Sequence, residues 1–72
     1  MGKSIYTLTH LSTVWHIHRY DEESDHIYTV ETHIATREEA VKRAMLEAES
    51  NRPSEVKAIG ASGIQSHIAS FN

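Results

Sequence analysis

The sequence contains no cysteine. That excludes a disulfide framework, a thiolate nucleophile and a thiolate-ligated zinc, leaves a packed core as the source of stability, and favours a reducing compartment. No apolar run is long enough for a membrane span or for the hydrophobic stretch of a secretory signal, and Tyr6 stands where a myristoylation signal carries a small or hydroxyl residue. A soluble, cytoplasmic protein without membrane contact is therefore expected. Clusters of positive charge are missing too. Lys3, Arg19, Arg37, Lys42, Arg43, Arg52 and Lys57 are scattered, and ten acidic against seven basic side chains give a net charge of -3. Without a basic stripe to displace counterions from phosphates, nucleic acid is not expected as a partner at neutral pH. Protonating the six histidines would reverse the sign of that charge.

At 72 residues the chain is expected to form one small domain, over 1–72, with shallow burial and little room for a deep pocket. Thr36 opens a T-x-x-E capping pattern with Glu39, and Ala40, Val41, Ala44, Met45 and Ala48 recur at helical spacing, which predicts a helix over 37–50 with one apolar stripe. Asn51, as a left-handed terminator, and Pro53 end it. Before the helix, 14–20 and 26–34 are rich in β-branched and aromatic residues and flank a polar turn, so they read as a hairpin. With Asp21 facing His26, the register puts Trp15, Ile17, Tyr28, Val30 and Ile34 on the core face. Residues 4–9 predict a further strand before a turn near 10–13. Residues 55–59 and 64–71 predict a C-terminal hairpin around Gly60-Ala61-Ser62-Gly63, whose glycines supply positive φ. The order β-β-β-α-β-β implies an α+β fold, a single antiparallel sheet covered on one face by one helix.

The run Thr36, Glu39, Ala40, Val41, Ala44, then a polar break, a short strand, a glycine turn and Gly63-Ile64 leading to Ser70-Phe71 resembles a family of short bacterial and phage α+β domains of unknown function. The resemblance spans roughly residues 14–71 and implies the fold, with no activity attached. Ser62 and Gln65 stand where that family carries an Asp and a basic residue.

Among groups that could carry chemistry, His16 and His18 alternate on a strand and share a face. The predicted register sets His16 across from Glu31, with His33 on the same outer face, a set that zinc or nickel could use. A histidine-rich, half-exposed sheet face accounts for the same pattern, so no metal and no cofactor is assigned. No G-x-S-x-G elbow occurs, and Ser66 and His67, neighbours in a strand, point to opposite faces, so they form no dyad. Gly60-Ala61-Ser62-Gly63 is too short to cradle phosphate and precedes a strand. Glu22 and Glu23 sit in an exposed loop where nothing tunes them as an acid–base pair. No enzyme is expected.

The acidic tip Asp21-Glu22-Glu23-Ser24-Asp25 can steer association with a basic surface, and Tyr20, His18, Ile27 and Thr29 beside it offer contact area. A solvated turn that discourages aggregation is the plainer account of the same residues. The expectation is a non-enzymatic binding module that docks on a larger protein with a basic surface through Asp21, Glu22, Glu23, Asp25, Tyr20 and His18. Its size and charge are those of phage-encoded inhibitors that block CRISPR effector complexes. A metal-binding protein using His16, His18 and His33, and a homodimer paired along a sheet edge, are the alternatives.

Overall fold

Ser4, Tyr6 and Leu8 alternate with Ile5, Thr7 and Thr9, and the first set points into the core. In the computed structural model, which describes residues 2–60 and 62–72, the elements are β1 (Ser4–Leu11), β2 (Val14–Asp21), β3 (His26–Ile34), α1 (Arg37–Ser50), β4 (Ser54–Ile59) and β5 (Gln65–Phe71). The fold is α+β, with one helix on a five-stranded sheet ordered β3-β2-β1-β4-β5. The loosely patterned first segment thus becomes the central strand. It runs on to Leu11, with His10 inside it, and the turn narrows to Ser12 and Thr13.

The sheet is mixed, which corrects the expectation of a wholly antiparallel one: β1 and β4 pair in parallel, Ser4 with Ser54 through Thr9 with Ile59. The cause lies in the crossover. β1, β2 and β3 reverse direction at each turn, so β3 runs with β1; α1 then carries the chain back, and β4 must run with β3 and therefore with β1. The two hairpins are antiparallel as predicted, and Asp21 faces His26.

The helix packs on the sheet through Ala40, Ala44 and Ala48, all fully buried, with Val41 and Met45 partly buried beside them. Three methyl side chains in a stripe let the helix backbone approach closely, above Tyr6, Leu8, Ile17 and Val56. Thr36 caps the start by accepting from the Glu39 N–H at 3.2 Å. The Glu39 carboxylate does not return to the cap; it accepts from Arg43 Nε at 2.9 Å, so the box is half made. Asn51 ends the helix at φ -128°, not in the left-handed region; its amide Nδ2 donates to the Glu47 carbonyl at 2.9 Å and to the Tyr6 hydroxyl at 3.1 Å. Polar atoms at the helix end are thereby tied to the central strand. In the C-terminal turn Gly63 takes φ +83° and its N–H donates to the Gly60 carbonyl, whereas Gly60 itself does not take positive φ; Ala61 lies outside the described residues.

Of the predicted core face, Ile17 and Ile34 are buried and Trp15 and Val30 partly so. Tyr28 is 44% exposed. The helix crosses obliquely: Arg43 in its first half reaches Glu31 on β3, whereas its end meets Tyr6 and Ser54 on β1 and β4. The corner of the same face beside the β2–β3 turn stays uncovered, and Tyr28 stands there.

Candidate functional site

That corner is a cleft of about 340 Å³ lined by Gly2, Lys3, Ser4, Arg19, Asp21, Glu23, Ser24 and Tyr28. Arg19 organises it. Its guanidinium carbon lies 5.9 Å from the Tyr6 ring centroid and 5.7 Å from that of Tyr28, and its Nε donates to Asp21 Oδ1 at 2.7 Å. Ser4 Oγ donates to the same oxygen at 2.9 Å. The bond from Arg19 holds the Asp21 carboxyl below the usual carboxylate range and, in return, holds the guanidinium more firmly protonated.

The other carboxylates of the tip are also held, with one exception. Glu22 Oε1 accepts from the Lys3 N–H at 3.1 Å, and the Glu22 N–H donates to the Lys3 carbonyl at 3.0 Å. Asp25, at φ +52°, accepts from the Tyr20 hydroxyl at 2.6 Å, and this bond raises the Tyr20 phenol above its ordinary value. Glu23 makes no such side-chain bond among the described residues and is exposed. Of the six residues predicted to bind a partner, Asp21 is therefore a clamp for Arg19, while Glu22, Glu23 and Asp25 are exposed to solvent. Tyr20 is half-buried beside Asp25, and His18 stands two residues further along β2 on the outer face.

Residues 19–25 hold one arginine against four carboxylates, and the remaining six basic and six acidic residues cancel. Residues 19–25 thus carry a formal charge equal to the net charge of the chain, and Lys3, which lines the same cleft, adds one positive charge beside them. Next to this segment Ile27 is 68% exposed, an apolar side chain on the outer face of an edge strand.

On the outer face the predicted histidines do come together. His16 and His18 have ring centroids 6.4 Å apart and nearly parallel planes, and His16 and His33 lie 5.6 Å apart. Their carboxylate does not join them, which corrects the register: Glu31 pairs with Ile17, not His16. Between the pairs Trp15–Ile34 and Ile17–Glu31 β2 has one residue and β3 has two, and Val30 is a further extra residue before Thr29 pairs with His18. These bulges turn Glu31 to the helix side, where it forms an ion pair with Arg43. Among the described residues, no three histidine or carboxylate groups already converge on one point.

A constellation that the sequence pattern does not signal lies on the C-terminal hairpin. Ser70 Oγ is 3.1 Å from His67 Nε2, and His67 Nδ1 is 3.5 Å from Glu55 Oε2. A bulge in β5 after His67 brings His67 and Ser70 to one side, which strict alternation would not. The order is that of a serine–histidine–carboxylate relay, but His67 is 55% exposed and none of the three lines the cleft, so the group has no shelter from water.

Among the described residues no helix is long and apolar enough to cross a membrane. No family model, curated protein or solved structure matches the chain.

Proposed function

We propose that the protein is a non-enzymatic binding module of the cytoplasm that docks on a basic surface of a larger protein through the end of the β2–β3 hairpin. The observation that carries this reading is the cluster of four carboxylates at one tip, three of them held in place by hydrogen bonds. A fixed carboxylate loses less side-chain entropy on binding than a free one, and a localised charge both accelerates encounter and orients it. The exposed Ile27 beside the tip supplies apolar area that a steering patch alone would lack. Inhibitors of the phage anti-defence type, which occupy basic nucleic-acid channels of CRISPR effector complexes, are the instance of this class that the size and charge favour. Both edge strands carry bulges, and these interrupt the free ladder that self-association by edge pairing would need.

The test is affinity capture from lysate of the source or host cell, at low and moderate salt, with three proteins: the wild type, the triple variant Glu22→Ser/Glu23→Ser/Asp25→Ser, and a helix variant Glu38→Ser/Glu47→Ser/Glu49→Ser with the same change in net charge. Asp21 is kept because it holds Arg19. A partner captured by the wild type and the helix variant, lost with the tip variant and weakened by salt, supports the reading. Equal capture by all three, or loss with both variants alike, refutes docking by the tip.

A further inference from the structure

His16, His18 and His33 project from the sheet face opposite α1, and the docking tip does not use His16 or His33. Two of the three sit at alternate positions of β2 and share a face through the ordinary pleat. The third reaches that face by another route. His33 has φ +60°, a left-handed conformation that a residue with a Cβ enters at a cost, inside the bulge where two residues of β3 oppose His16 alone. The same bulge returns Ile34, 4% exposed, to the core and sets a third imidazole beside the other two on the outer face. Thr32 Oγ1 lies 3.0 Å from His33 Nδ1; in the tautomer in which Nδ1 donates to that hydroxyl, Nε2 carries the lone pair a metal needs.

We propose that His16, His18 and His33 form a three-imidazole site for a divalent transition-metal ion of the zinc class. Two imidazoles on one tetrahedral zinc have ring centroids roughly 5 Å apart, given Zn–N bonds of about 2.0–2.1 Å. The His16–His33 pair, at 5.6 Å, stands close to that spacing; His16 and His18, at 6.4 Å with nearly parallel planes, must rotate about their side-chain bonds to converge. The helix covers the opposite face, so among the described residues no element of the fold packs above the rings, and water can fill the remaining coordination positions. Glu31, the one carboxylate the strand pairing would have supplied, is held on the helix side by Arg43, so the donor set is nitrogen only. Neutral imidazoles select borderline ions such as zinc, nickel and copper, and discriminate against magnesium and calcium, which require oxygen.

Isothermal calorimetry of the tag-free full chain with zinc chloride, and separately with magnesium chloride, tests the site. The expected result is one zinc per chain with micromolar affinity, no magnesium binding, and a loss of about tenfold or more on His16→Ala or His33→Ala. His10→Ala and His26→Ala, which remove imidazoles elsewhere, are expected to bind as the wild type does. Because metal and proton compete for the same nitrogen, binding weakens on acidification. Histidine ring signals in a two-dimensional NMR spectrum identify the ligands without any substitution: zinc must shift those of residues 16, 18 and 33 together. Wild-type affinity no better than millimolar, or zinc shifts confined to other histidines, overturns the proposal. Neither result touches the docking reading, whose variants leave all three histidines in place.

Discussion

Replacing Asp21 with Asn separates a residue that holds the fold from the carboxylates beside it that are exposed to solvent. In the wild type the Asp21 carboxylate accepts from Arg19 Nε at 2.7 Å and from Ser4 Oγ at 2.9 Å, and the Arg19 side chain it anchors lies between Tyr6 and Tyr28. An isosteric amide keeps the shape but removes the charge. Hydrogen bonds to charged groups contribute about 1.5–3 kcal/mol each. With the two side chains 19% and 30% exposed, solvent screening reduces the expected loss to about 1–2 kcal/mol. In a domain of this size that lowers the melting temperature by about 5–15 °C. The pH dependence gives a second check. Asp21 has its carboxyl depressed in the folded state, so its contribution is fully present above the unfolded carboxylate range and is lost as pH falls through the folded value. Urea unfolding followed by Trp15 fluorescence should therefore show a gap between wild type and Asp21→Asn at pH 7 that narrows as pH falls below the unfolded carboxylate range and closes as folded Asp21 is protonated. A gap that is absent at pH 7, or that stays constant on acidification, refutes the clamp.

Leu8→Ala empties a fully buried position on the central strand, opposite Ile17 and Ala58, and should cost about 2–5 kcal/mol by the same unfolding assay; a loss below about 1 kcal/mol would show that α1 collapses onto the gap. The Tyr20 phenol, held by Asp25, should ionise above its ordinary value in an ultraviolet titration, and Asp25→Asn should bring it down; an identical titration in both proteins would mean that the bond is not kept in solution.

Where local chemistry decides structure, the sequence is legible to the residue. The helix runs from Arg37 to Ser50 as the Thr36 cap and the alanine stripe imply, and the polar turn sets Asp21 against His26. What escapes is what depends on the whole chain. The parallel pairing of β1 with β4 follows from which side of the sheet the crossover returns to, and no residue in either strand encodes it. Asn51 is drawn away from the left-handed region by the Tyr6 hydroxyl, a partner 45 positions distant. The charge asymmetry of the tip, by contrast, is countable from the sequence alone and needs only the division of the chain at residues 19 and 25.

The register of β3 is the instructive failure. Period-two alternation assumes that each residue meets one partner, and β3 contains neither glycine nor proline to warn that it does not. Two extra residues nevertheless enter it opposite β2, at Val30 and at Thr32–His33. Each slip reverses the faces of the residues beyond it, so Val30 and Glu31 both serve the helix side, one in the core and one on Arg43, while His33 is returned to the face of His16 and His18. A regular strand with Glu31 opposite His16 would have left Arg43 without this partner and added a carboxylate to the imidazoles. The bulged one divides Glu31 from the imidazoles, and that division leaves His16, His18 and His33 as a nitrogen-only donor set.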